Sequence, residues 1–259
     1  MSADKQKVAI VTGGASGIGK AIAQALVAQG VAVVIAGRGQ QRGDDAAAEL
    51  GGNTLFVQTD VSQEADLVRL ISTTLDRHGR LDYLINNAGI EAGMGAFEDT
   101  EADLIDSVLA INVKGVFLAI KHAAPVMVRQ QTGVIINVAS FVGTTHPIPQ
   151  AAIYGASKAA VLSLTRAAAA AYDEQHLRVY AVCPWMTDTP MADRQTDSDP
   201  EAKNRYAAAI NPSKQLATPT DLAQATLDLL EGRTELPNGE AILVDHGSAL
   251  SRIVPMSFV

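Results

Sequence analysis

The sequence predicts an α/β domain, a doubly wound sheet of seven parallel strands with helices on both faces. Short β-branched runs recur from one end to the other, stretches of helical period separate them, and the runs are apolar on both faces. Strands covered by helices on each side read in that way. Repeated β-α alternation then calls for right-handed crossovers between parallel neighbours.

The expected strands are Val8–Thr12, Ala32–Ala36, Leu55–Thr59, Tyr83–Asn86, Gly133–Ala139, Val179–Cys183 and Glu240–Val244. Between them, Ile18–Gln29 has helical period and stops at Gly30, a residue that takes a left-handed turn without strain. Glu64–Arg77 ends near Gly79. Thr100 is placed to cap a helix running to Leu109, and a longer helix follows to about Gln130. Ala156–Glu174 is an alanine-rich helix, and Thr218-Pro219 opens another, since proline is tolerated in a first turn. Trp185–Ser213 is the least regular stretch, with Pro190, Pro200 and Pro212 among Asp, Thr and Asn residues. A long irregular segment in a compact domain is either a lid over a site or a disordered excursion, and loop-length statistics favour the lid. No linker or internal repeat divides the chain, so residues 1–259 read as one domain.

Composition narrows the function. Of 259 residues, 47% are hydrophobic and 19% charged, which excludes a disordered chain. The net charge of −8 argues against a nucleic-acid partner, whose phosphates it would repel. An anionic cofactor stays possible, because backbone N–H groups bind phosphate without net charge. No apolar run is long enough for a membrane span, and no basic-then-apolar leader precedes Val8. Cys183 is the one cysteine. It permits no internal disulfide, which fits a cytoplasmic protein. His78, His122, His176 and His246 lack metal-ligand spacing, so no metal site is expected.

Val8–Thr12 runs into Gly13-Gly14-Ala15-Ser16-Gly17-Ile18-Gly19 and then a helix. Glycines at that junction let the backbone approach a pyrophosphate, and the helix start offers free N–H groups to it. A lone glycine pattern is weak, but its place between first strand and first helix points to a dinucleotide. The second strand ends at Gly37-Arg38, where an acidic residue would hold an unmodified ribose. A guanidinium at Arg38, with Arg42 near, suits a 2′-phosphate instead. This favours NADP over NAD, although Arg38 also reads as an ordinary surface residue.

Tyr154 and Lys158 lie four apart at a helix start, on one face. A free phenol has a pKa of about 10, and a neighbouring cation lowers it. The pair therefore reads as a general acid/base set. Ser140 ends the fifth strand, where its hydroxyl can hold a substrate oxygen beside the phenol; no histidine is spaced to make it a nucleophile. Asn87-Ala88-Gly89 leaves the fourth strand with small side chains, giving a cofactor room, while Asn87 can equally tie strand ends together.

Thr12 to Gly19, Asn86-Asn87-Ala88-Gly89, Asn112, Ser140, Tyr154-x-x-x-Lys158 and Pro184 resemble, in order and interval, the motifs of the short-chain dehydrogenase/reductase family. The resemblance covers nearly the whole chain. It implies a Rossmann-type fold and an NAD(P)-dependent oxidoreductase acting on a small alcohol or ketone, with Tyr154 as acid/base. It implies that Gly13, Ser16, Gly17, Ile18 and Gly19 hold the cofactor with Asn87, Ala88, Gly89 and Pro184, and that Lys158 reaches the nicotinamide ribose. Asp60-Val61 would line the adenine pocket; Asp60 also reads as a cap for the next helix. Asn112 would steady a water linking Lys158 to solvent. Arg38 is an NADP-leaning feature, whereas Ser16 stands where such relatives often carry a basic residue. A homotetramer or homodimer is implied, and the alanine run Ala167–Ala171 suits close helix contact.

Two features depart from the family. Trp185 replaces the usual glycine after Pro184, either narrowing the pocket or simply packing; Thr187 and Thr189 can still reach a carboxamide. The interval from Ser140 to Tyr154 is about one residue longer than usual. The stretch from Phe141 to Pro149 should line the substrate site, with His146 either touching substrate or idle. Phe141, Ile148, Met94 and Met191 suggest an apolar pocket. Two rival functions remain: a non-redox dehydratase or epimerase of the same family, and a cofactor-binding regulator without turnover.

Overall fold

A computed structural model describes residues 6–144, 146–248 and 250–252. Thr145, within the stretch expected to line the substrate site, lies outside the described residues. Seven strands run parallel in the order β3-β2-β1-β4-β5-β6-β7. They are β1 (Val8–Thr12), β2 (Ala32–Gly37), β3 (Leu55–Gln58), β4 (Tyr83–Asn86), β5 (Gly133–Val138), β6 (Leu177–Pro184) and β7 (Ala241–Val244). An eighth strand, β8 (Leu250–Arg252), pairs antiparallel with β7 and was not expected. Three residues are too few to show a period, so only pairing defines it.

The order reverses between β1 and β4, and that switch point creates a crevice at the carboxyl ends of the strands. Strand residues alternate between two cores. Ile10, Val34, Leu84 and Ile135 face α3 (Glu64–His78), α5 (Gly115–Gln130) and α6 (Ala152–Tyr172). Val11, Ile35, Ile85 and Ile136 face α1 (Gly17–Ala28), α2 (Gln40–Leu50) and α9 (Pro219–Leu230). Continuous apolar strands are thus explained by burial on both sides.

Helix ends follow local chemistry. α3 carries Glu64 and Asp66 in its first turn and Arg77 in its last, matching the helix dipole, and stops at left-handed Gly79. α9 starts with a reciprocal capping box between Thr218 and Asp221. Thr100 does not cap α4 (Ala102–Leu109); Glu101 holds that position, and the Thr100 hydroxyl donates back to Ala96 O at 3.4 Å. Asp60 likewise stops short of capping α3, whose cap position is Gln63. α6 begins at Ala152, earlier than the expected Ala156, because a turn at Pro149–Ala151 feeds straight into it.

The 185–213 segment is neither irregular nor a simple loop. It contains α7 (Pro190–Gln195) and α8 (Pro200–Ile210). Thr189 and Asp199 cap them, and each starts on a proline. The Thr, Asp and Pro residues that resembled loop chemistry are helix-start chemistry. Both ends of the segment are pinned at one place. The fully buried Asn211 accepts from Met186 N and donates to Met186 O, each at 3.0 Å, and donates to Asp245 at 3.2 Å.

Candidate functional site

Two adjoining cavities open at the carboxyl edge of the sheet. The larger, about 500 Å³, is lined by Gly13, Ser16, Gly17, Ile18, Arg38, Asp60, Val61, Asn87, Ala88, Gly89 and Thr189. Its floor is the β1–α1 turn. Gly13 has φ +66°, and a Cβ there would lie 2.8 Å from Asn87 Nδ2. Gly19 is not on the wall but packs beneath it, against Gly13 and Asn87. Asn87 ties the strand ends, donating to Thr12 O at 2.9 Å and Gly13 O at 3.3 Å, while Thr12 Oγ1 accepts from Asn87 N and Ala88 N at 3.0 Å. No side chain caps the start of α1 at Ser16, so its leading N–H groups face the trough. A cradle that admits no Cβ, beneath a free helix start, fits a dinucleotide pyrophosphate.

At the far end, Arg38 and Arg42 are exposed and line the trough. Asp60 lies on the wall between them and the centre. Its carboxylate accepts from Ser62 N at 2.9 Å and Ser62 Oγ at 2.7 Å, which fixes the turn after β3. Lining and turn-making therefore coexist in Asp60.

The smaller cavity, about 160 Å³, carries Ser140, Tyr154 and Lys158. Ile18, Asn87, Gly89 and Thr189 line both cavities, so the catalytic candidates stand at the junction. Ser140 and Tyr154 face the same cavity, and the Ser140 hydroxyl favours ionisation of the phenol. Lys158 Nζ lies 5.6 Å from the Tyr154 ring centroid and donates to Val138 O at 2.9 Å. Asn112 is wholly buried in a π-helical turn (Ala110–Lys114) between α4 and α5. Its Oδ1 accepts from Ile90 N at 2.9 Å; its Nδ2 donates to Ile90 O at 2.9 Å and Ser157 Oγ at 3.1 Å. A Cβ on Gly89 would meet Asn112 Oδ1 at 3.2 Å and Lys158 Nζ at 3.4 Å, so the three converge on one point.

Burial dominates the electrostatics of this pair. It pushes the Tyr154 phenol up to about 12, against the effect of Ser140; Glu91 adds to the rise. It pulls the Lys158 ammonium down to about 8. The expected acidification of the phenol by Lys158 is therefore outweighed in the free protein, because desolvation acts on both charged forms at once.

Pro184, Thr187, Met94, Phe141, Ile148, Trp185 and Met191 complete the smaller cavity. The Thr187 hydroxyl donates to Trp185 O at 2.8 Å, and Thr189 Oγ1 accepts from Ala192 N at 3.3 Å, so local bonds orient both hydroxyls. Trp185 packs and lines at once: it is buried, stacked on Phe141 at 4.4 Å between centroids. It avoids the left-handed backbone that a glycine would permit. His146 stands edge-on to Trp185 at 5.1 Å and does not line the cavity.

Sequence reasoning missed Glu91 and Arg194, which line the trough and pair at 2.7 Å across it. It also missed Gln195 and Tyr206 on the smaller cavity. No spacing links residues 103 apart, so only the fold reveals such a pair.

The family model described as short chain dehydrogenase matches residues 7–200. A 2-(R)-hydroxypropyl-CoM dehydrogenase of Xanthobacter autotrophicus is 36% identical over 92% of this chain and 97% of its own length. A crystal structure of a 3-ketoacyl-(acyl-carrier-protein) reductase from Brucella melitensis with NADH superposes with TM-score 0.82 and 33% identity, over 93% of this chain and 97% of that one. An actinorhodin polyketide ketoreductase variant with NADPH gives TM-score 0.87 and 30% identity, over 95% and 98%. The chain belongs to the short-chain dehydrogenase/reductase family, oxidoreductases that move a hydride between a nicotinamide dinucleotide and an alcohol or ketone.

Proposed function

We propose that this chain interconverts a small ketone and its alcohol with NADP in preference to NAD, using Tyr154 as general acid/base. The observation that carries this reading is the Ser140–Tyr154–Lys158 cluster at the junction of a dinucleotide-shaped trough and a small apolar cavity. When bound, the nicotinamide supplies or accepts the hydride and, when oxidised, brings a positive charge to the site. Gly13, Ser16, Gly17, Ile18, Asn87, Ala88 and Gly89 would hold its phosphates and inner ribose, with Pro184, Thr187 and Thr189 at the carboxamide end. Asp60 and Val61 would meet the adenine, and Arg38 a 2′-phosphate.

The Ser140 hydroxyl orients the substrate oxygen and the phenol together. Tyr154 gives its proton to the alkoxide as a ketone is reduced, or takes one from an alcohol as it is oxidised. Lys158 favours the phenolate electrostatically and bonds ribose hydroxyls. Asn112 fixes the Ile90 backbone and serves as the outer member of the proton path. Tyr154→Phe keeps the ring and loses the proton. Turnover should fall by about two to four orders of magnitude, as for loss of a general acid, with dinucleotide affinity retained. Unchanged turnover would refute the assignment.

Residues 185–213 act in this reading as a substrate lid. Met191, Gln195 and Tyr206 reach the cavity from it, and Arg194 latches it to Glu91. The exposed Phe117 and Leu109 support a homo-oligomer, dimer or tetramer. The buried free thiol of Cys183 suits the cytoplasm. A monomer by light scattering would remove the oligomer.

A further inference from the structure

We propose that Trp185 sets substrate size, restricting the site to compact, uncharged ketones and alcohols of about one six-membered ring. The inference rests on the ketone/alcohol reading of the same cavity.

Its volume is about 160 Å³. A dry cavity of about 150 Å³ holds a benzene ring, and here part of the space adjoins the trough. Trp185 and Phe141 stack into one rigid wall, with interplanar angle 17°. The His146 ring braces Trp185 edge-on from outside, so the indole cannot swing away without breaking two aromatic contacts. The backbone supports it as well: Trp185 N donates to Val244 O at 3.0 Å, and its carbonyl accepts from Thr187. Among the described residues lining this cavity Lys158 is the one charged side chain, and its ammonium is turned to Val138 O. A substrate carboxylate, sulfonate or phosphate lodged against the Trp185–Phe141 wall would therefore be desolvated with no protein cation turned toward it.

Trp185 is the chain's single tryptophan, so its emission reports this wall alone. Protein loaded with oxidised dinucleotide cannot reduce a ketone, which separates binding from turnover. Cyclohexanone should quench Trp185 saturably, at concentrations at least tenfold below those needed for the two-ring 2-decalone or the anionic 4-oxocyclohexanecarboxylate. With reduced dinucleotide, Trp185→Ala should lower the kcat/KM ratio of cyclohexanone to 2-decalone at least tenfold, within the range that pocket contacts command. Trp185→Phe should fall between, and covers the case in which the alanine variant does not fold. Equal binding of the three ketones, an unresponsive Trp185, or a ratio unmoved in the folded variants overturns the proposal. Selective quenching with no reduction of any ketone leaves the size limit standing and overturns the redox reading.

Discussion

Replacing Lys158 by methionine tests the electrostatics of the site without any substrate. The ammonium is buried beside Tyr154 and Ser140, and burial draws it down to about 8 from an ordinary 10.5. The unfolded chain holds this proton up to about pH 10.5, whereas the folded chain releases it above about 8. Between those values the unfolded state binds more protons, so stability contributed at this position rises with pH. At 1.36 kcal/mol per pH unit the gap is worth at most about 3.4 kcal/mol. Tyr154 acts in the opposite sense only above pH 10, where the unfolded phenol ionises first, since the folded one holds its proton to about 12. Above pH 9 the buried Cys183 thiol, pushed up to about 12, acts in the same sense as Tyr154 in wild type and variant alike, so the lysine is read over pH 8 to 10 from their difference. Urea unfolding of cofactor-free wild type and Lys158→Met, at half-unit steps across that range, isolates the lysine as a difference. The wild type should gain on the variant by up to about 2.7 kcal/mol over those two pH units. A flat or falling difference would mean that burial does not govern this ammonium.

Other outcomes follow from single contacts. Gly13→Ala places a Cβ 2.8 Å from Asn87 Nδ2 at φ +66°. Left-handed backbone alone costs alanine about 1–2 kcal/mol, so dinucleotide affinity by calorimetry should fall at least tenfold; unchanged affinity would remove this turn from the cofactor site. Arg38→Glu should invert the NADPH to NADH ratio of kcat/KM, and a wild type that prefers NADH would defeat the 2′-phosphate assignment. Asn211→Ala leaves the Met186 N–H unpaired in the interior, while Met186 O keeps its bond from Ala217 N. The loss should be about 1–3 kcal/mol in urea unfolding, with poorer KM because both ends of the 185–213 segment come loose. A loss below about 0.5 kcal/mol, the level of an ordinary surface change, would show that the clamp is dispensable.

Much of the site was legible because local pattern and chemistry coincide there. Gly13, Gly14, Gly17 and Gly19 are spaced as a turn built for close backbone approach, and that spacing is visible between a strand and a helix. Tyr154 and Lys158 share a face through helical spacing alone, and Ser140 closes a strand whose apolar period marks its end. The seven parallel strands were readable because double burial leaves continuous β-branched runs.

The sequence by itself thus determined the layered α/β architecture, the glycine turn after the first strand and the Tyr154–Lys158 pair that we propose as acid/base. Tertiary structure alone decided three further matters. β8 exists only through its pairing with β7. Glu91 and Arg194 meet because the loop after β4 and helix α7 face each other across one crevice. The upward shift of the Tyr154 phenol and the downward shift of the Lys158 ammonium follow from surroundings that exclude water. Spacing along a chain encodes what one helix or strand does; desolvation and contacts between distant elements are properties of the assembled interior.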